Sequence, residues 1–188
     1  MQITASVNIG DYSEFMEKFR GRNLDVFTSS GIFYNAGTSK VYFSRFLAEQ
    51  QQHRPVLCFV TRRFDFGCMD IELFTYYLCH VLESVWNSPY EIFIDVTAET
   101  SANEVIVEWV SNLLRGLPRA KVENCHMLYH YNVNTPYRRH LRTIFRHAKH
   151  VGFDMEQRSK FLRGLDDVQR YLDLTDVRLS ENTSASPL

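Results

Sequence analysis

A chain of 188 residues that is 45% hydrophobic, 14% aromatic and 23% charged has the makeup of one folded domain with a real core, which excludes a disordered or fibrous protein. Its net charge of -1 excludes the global basic field that wraps a long polyanion, so nucleic acid is not an expected partner. The four cysteines, Cys58, Cys68, Cys79 and Cys125, show no Cys-x-x-Cys and no ligand-like spacing, which argues against a metal site and fits a reducing compartment.

In chain order, Phe15, Met16 and Phe19 give the first amphipathic segment, with Ser13 as its expected cap and Gly21 beyond it. Gly31 to Tyr34 reads as a short strand entering the turn-prone run Asn35 to Ser39, and Ala48 to Arg54, with three consecutive Gln, reads as a polar loop. Val56 to Val60 is a continuous apolar run of the kind buried on both faces of a parallel sheet. Asp70 caps a helical pattern in which Ile71, Phe74, Leu78, Val81, Leu82 and Val85 recur, stopped by Asn87-Ser88-Pro89. A strand from Tyr90 to Thr97 follows. Asn103 is the expected cap for Val105 to Leu114, with Gly116 as the C′ residue and Pro118 after it. Cys125 to Tyr131 is a strand, and Thr135-Pro136 opens a helix as cap and N1 residue. A short strand over Val151 to Asp154 and a last helix marked by Val168, Tyr171 and Leu172 complete the order. Strand and helix alternate, so the expected fold class is α/β, a mixed but largely parallel sheet with flanking helices. One domain over 1–178 with a disordered tail or linker over 179–188 is expected.

Charge is distributed unevenly. Arg115, Arg119, Lys121, Arg138, Arg139, Arg142, Arg146 and Lys149 stand against one acid, Glu123, between Arg115 and His150. A local basic face on a near-neutral chain suits an anionic surface or head group. No Gly-x-Gly-x-x-Gly, P-loop or Gly-x-Ser-x-Gly occurs, so nucleotide cofactors and hydrolase chemistry lack their signatures, and no cofactor is expected. His126 and His130, four apart in a strand, share a sheet face about 13 Å apart, too far for one metal ion. His140, His147 and His150 fall on or beside the basic helix and read as solvated. Asp95, within an apolar strand, reads as a carboxylate near the strand end that accepts backbone hydrogen bonds or pairs with an Arg; the alternative is a catalytic base. Glu91 reads as an edge or surface charge. With no basic region before an apolar run at Met1-Gln2-Ile3-Thr4, the expected location is cytoplasmic.

Several stretches stand together in order: Ile32-Phe33-Tyr34-Asn35-Ala36-Gly37-Thr38-Ser39-Lys40, then Arg62-Arg63-Phe64, then Pro89-Tyr90-Glu91-Ile92-Phe93-Ile94-Asp95-Val96-Thr97, with Glu14-Phe15-Met16 and Tyr129-His130-Tyr131-Asn132 as weaker agreements. Over about residues 14 to 175 this set resembles the CRAL-TRIO lipid-exchange module of neurofibromin and its fungal Ras GTPase-activating relatives. The resemblance implies a sheet flooring an apolar cage that holds one glycerophospholipid, closed by a lid helix that matches Pro136 to Lys149. It implies a non-enzymatic module of a larger negative regulator of Ras signalling, whose neighbouring domains are partners and whose location is cytoplasmic with transient contact to an anionic membrane.

By pattern, the pocket residues are Phe59, Phe93 and Leu128 from the sheet and Tyr137, Leu141, Ile144 and Phe145 from the lid. Arg138, Arg139, Arg142, Arg146 and Lys149 are the head-group or membrane contacts. Two rivals remain open. One is a protein-interaction module with a closed cavity whose basic helix binds an acidic partner; the other is a small hydrolase centred on Asp95.

Overall fold

The computed structural model describes residues 7–40, 53–64, 67–97 and 104–174, without the side chains of 104–106. Its centre is a six-stranded sheet in the order β5-β4-β3-β2-β1-β6. The strands are β1 (Phe33–Ser39), β2 (Pro55–Val60), β3 (Tyr90–Asp95), β4 (Cys125–Tyr131), β5 (Ser159–Leu162) and β6 (Leu172–Leu174). β2, β3, β4 and β5 pair in parallel, while β1 runs antiparallel to both β2 and β6. The sheet is therefore mixed, as expected, with its antiparallel part at one edge.

The helices are α1 (Tyr12–Lys18), α2 (Asp25–Ser30), α3 (Ile71–Glu83), α4 (Glu104–Gly116), α5 (Arg119–Glu123), α6 (Thr135–His150) and α7 (Leu165–Tyr171). Among the described residues no helix is long and apolar enough to cross a membrane. Asp70 caps α3 as expected, accepting from the Leu73 amide at 3.0 Å. Two other caps sit one or two residues from their expected places. Asp11, not Ser13, accepts from the Glu14 amide and starts α1. Asn134, not Thr135, accepts from the Tyr137 amide and starts α6, which moves Thr135 inside the helix. Both replacements are Asx residues, whose short carbonyl reaches the N3 amide from extended backbone.

Four further expectations change. The turn-prone run after Tyr34 is strand: β1 continues to Ser39 because a bulge between Asn35 and Gly37 absorbs the irregularity while β2 and β6 hold it on either side. Val151 to Asp154 is not a strand: Val151 and Gly152 form a turn, with Gly152 at φ 83, and the strand comes later as β5. Gly116 is the last residue of α4 and is needed for room: a Cβ there would overlap the side chain of Ile9. His126 is the extra residue of a bulge, since Tyr90 pairs with Cys125 and Glu91 with Met127. It is consequently exposed while His130 is wholly buried, and the two do not share a face. The polar loop over 48–54, the Asn103 cap and the tail from 179 lie largely or wholly outside the described residues.

Two apolar layers flank the sheet. On one face Leu57, Leu128, Tyr90 and Cys125 pack against α1, α3, α4 and α6 through Phe74, Trp109, Leu113 and Ile144. On the other, Val56, Cys58, Phe93, Tyr129 and Tyr131 pack with Val168 of α7 and Leu172. Polar bonds fix the first layer: the Tyr77 hydroxyl donates to the Phe33 carbonyl at 2.6 Å and the Trp109 indole N–H donates to Thr75 Oγ1 at 2.9 Å. The rings of Phe59, Phe64, Phe74 and Trp109 stand 4.8–6.5 Å apart centre to centre. Each such pair contributes about 0.5–1.5 kcal/mol beyond its buried area.

Candidate functional site

Strand parity decides what the sheet offers to each layer. The in-register sets Phe33–Phe59–Ile94–His130 and Leu57–Ile92–Leu128 face the α3, α4 and α6 side. Between these residues and the helices lies a cavity of about 160 Å³. Its walls are apolar throughout, save for Thr61, His130 and the polar tips of tyrosine and tryptophan. The Thr61 hydroxyl is taken, donating to the Asp95 carbonyl at 3.0 Å.

Of the seven residues expected to line a pocket, Phe59, Leu128, Tyr137, Leu141 and Ile144 line this cavity. Phe145 does not; it is half-buried beside it, its ring 6.3 Å from that of His130. Phe93 is wholly buried in the opposite layer, 5.8 Å from the Tyr131 ring. β3 alternates Ile92 and Ile94 on one face with Glu91, Phe93 and Asp95 on the other, and that parity puts Phe93 behind the sheet with the two carboxylates. Several wall residues were not anticipated: Ile92 and Ile94 on β3, Trp109 and Leu113 on α4, and Phe153 and Met155 after α6. The alternation of Ile92 and Ile94 around Phe93 carried the signal for the first two.

α6 divides cleanly. Tyr137, Leu141, Ile144 and Ala148 are buried toward the sheet. Arg138, Arg139, Arg142, Arg146 and Lys149 are all exposed, and among the described residues none has an ion-pair partner. Arg138 lies 5.6 Å over the ring of Phe161, itself exposed. An open groove of about 520 Å³ separates α4 from α6 and is bordered by Arg115, Arg139, His140 and His147. His147 is not merely solvated: its Nδ1 meets Ser111 Oγ at 2.8 Å. The helix is bounded by Asn132 at φ 56 and Gly152 at φ 83, two left-handed positions where the chain turns sharply.

The buried carboxylates belong to the other face. Asp95 follows its structural reading: Arg62 Nη1 donates to Oδ2 at 2.5 Å and the Thr97 amide to Oδ1 at 3.0 Å. Glu91 is a correction. It is buried at 2% exposure in a central strand and paired with Arg54 at 3.2 Å, because both neighbours of β3 are strands and leave it no edge. Burial, helped by Glu91, pushes the Tyr129 phenol up.

Burial pushes the Cys125 thiol up to about 12 and the His130 imidazole down to about 3. Behind the sheet and in α3, burial likewise raises Cys58 and Cys79 to about 12. Among the described residues no group of three or more His, Cys, Asp or Glu could hold a metal ion. The arrangement is a container: an apolar floor, an amphipathic cover and a cationic outer surface. The family model described as "Divergent CRAL/TRIO domain" matches residues 53–183, which is more than half of the chain.

Proposed function

Since the chain belongs to the CRAL/TRIO family, we propose that it is a lipid-binding module that holds a glycerophospholipid between its sheet and helices, with α6 as the lid. The observation that carries this reading is the two-sidedness of α6. Its inner residues Leu141 and Ile144 line the apolar cavity while five exposed cations, without an ion-pair partner among the described residues, stand on its outer side. An amphipathic helix of this kind rests on an anionic membrane surface through its cations and releases its apolar face to acyl chains.

At about 160 Å³ the cavity is smaller than pockets that hold drug-sized ligands, roughly 300–1,000 Å³. Loading therefore requires α6 to move outward about its ends at Asn132 and Gly152. Closure then buries the acyl chains, each Å² of apolar surface contributing about 25 cal/mol. The protein acts as carrier or sensor and not as an enzyme, located in the cytoplasm with transient membrane contact. The ordered motifs described above support the finer reading, a module of a neurofibromin-like negative regulator of Ras signalling that works beside other domains.

The small volume also favours a second reading, a protein-interaction module whose cavity stays shut and whose basic helix binds an acidic partner. Native mass spectrometry of the protein purified from cells, with lipid extraction of the same sample, separates the two. A bound mass near that of one phospholipid, lost on denaturation, is expected. A clean unliganded mass, with no uptake after incubation with liposomes, would transfer the proposal to the interaction module.

A further inference from the structure

His130 sits in β4 with no exposed surface and forms part of the cavity wall. Its hydrogen bonding fixes its tautomer. Ser159 Oγ donates to the Met155 carbonyl at 2.8 Å, so toward His130 Nε2, 3.1 Å away, it acts as acceptor. Nε2 therefore carries the proton, and Nδ1 is left as a lone-pair acceptor with no donor among the described residues. Three other buried side-chain atoms lack partners among the described residues, on Ser39, Arg54 and Glu91, and none of those residues lines the cavity. A buried acceptor without a donor is a standing penalty that a ligand's donor removes. The imidazole is held neutral by burial, so this acceptor persists at physiological pH.

The position of the ring indicates which part of a ligand reaches it. His130 stacks on Phe161 at 5.3 Å, and Arg138 lies over that same ring at 5.6 Å. The ring that bears the orphan acceptor and a surface cation thus contact the same aromatic side chain, so this end of the cavity is its polar end.

We propose that His130 is the specificity-determining residue of the cavity, its Nδ1 accepting a hydrogen bond from the polar end of the bound lipid. Preferred ligands carry a donor there, a hydroxyl or a primary ammonium group; lipids whose polar end offers only acceptors or a quaternary ammonium are disfavoured. A site built to satisfy a buried polar atom rejects the analogue that lacks the matching group far more strongly than an apolar wall rejects a change of size.

This inference rests on the lipid-binding reading, and its test separates the two. The full chain is loaded from vesicles holding equal amounts of two lipids with identical acyl chains, and the bound lipids are quantified by mass. One arm pairs phosphatidylethanolamine with phosphatidylcholine; the other pairs diacylglycerol with its O-methyl ether. The donor-bearing member is expected to dominate about tenfold in at least one arm, and that arm names the donor. In His130→Leu the ratio is expected to fall to about one. Because that variant removes a buried side chain, a second readout uses wild-type protein with 15N-labelled histidine. The His130 Nδ1 resonance is expected to move upfield on loading with the favoured lipid and to stay in place with its partner. Loading without preference in either arm, a preference that survives His130→Leu, or an unmoved Nδ1 resonance overturns the inference and leaves the lipid module standing. Failure to load any lipid overturns both.

Discussion

Ser111 on α4 and His147 on α6 are joined by a hydrogen bond of 2.8 Å in which the imidazole is the donor, because the Ser111 hydroxyl is already spent on the Val107 carbonyl at 2.7 Å. The bond clips the mobile element of the proposed mechanism to its neighbour. Ser111→Ala is expected to lower stability by about 1 kcal/mol and to raise the rate of lipid exchange between vesicles severalfold. A thermal melt and a fluorescent-lipid transfer assay check the two effects. An unchanged transfer rate would mean that α6 does not open along this seam.

The outer face of α6 predicts a charge dependence. Arg142 and Arg146 are exposed and unpaired among the described residues, so Arg142→Glu with Arg146→Glu is expected to leave the melting temperature nearly unchanged. Binding to vesicles rich in phosphatidylserine is expected to fall by at least tenfold, at about 1 kcal/mol per charge removed, and to lose much of its salt dependence. Sedimentation with vesicles at two ionic strengths measures this.

Phe59 and Phe93 predict opposite phenotypes despite their common origin in central strands. Phe93→Ala, behind the sheet with no exposed surface, is expected to cost about 3–5 kcal/mol of stability without altering which lipids are held. Phe59→Ala opens the cavity wall and is expected to shift the bound population toward bulkier acyl chains. Denaturant unfolding with lipid analysis of both variants tests the contrast.

His130 also predicts an acid dependence of stability. Its folded pKa lies near 3, below the ordinary 6.5, so as pH falls through about 6.5 the unfolded chain takes up a proton that the folded chain refuses. Stability is unaffected above that range and declines at up to about 1.4 kcal/mol per pH unit between about 6.5 and 3. The loss of melting temperature between pH 7 and pH 5 is expected to be smaller in His130→Leu than in wild type. His126, whose pKa is also lowered, remains in both proteins and cancels in the comparison.

Local pattern made some elements legible and tertiary context hid others. β4 lies where its apolar run predicted, and α3 starts at its Asp70 cap, because both signals sit within a few residues of each other. β1 was hidden by Asn35, Ala36 and Gly37, whose preference for turns is overridden by strands on both sides. Glu91 was misread because a carboxylate in a strand implies an edge until its partner, Arg54, is seen across the sheet. Of the site, the buried side of the amphipathic helix α6 was readable from Tyr137, Leu141 and Ile144. Trp109 and Met155 belong to the site only through the packing of α4 and the turn after α6, which no local period encodes.

The last strand carries a consequence for how the protein is made. β1 lies between β2 and β6: the Ser39 amide donates to the Arg54 carbonyl on one side at 2.9 Å, but on the other its partner is Leu172, near the far end of the described chain. A nascent polypeptide emerging from the ribosome can assemble β1 through β5 early, but it keeps the Gly37–Ser39 edge open until residues 172–174 appear. Synthesis that stalls or is cut short before that point would release a molecule with a nearly complete core and one sticky strand, a substrate for chaperones or for self-association.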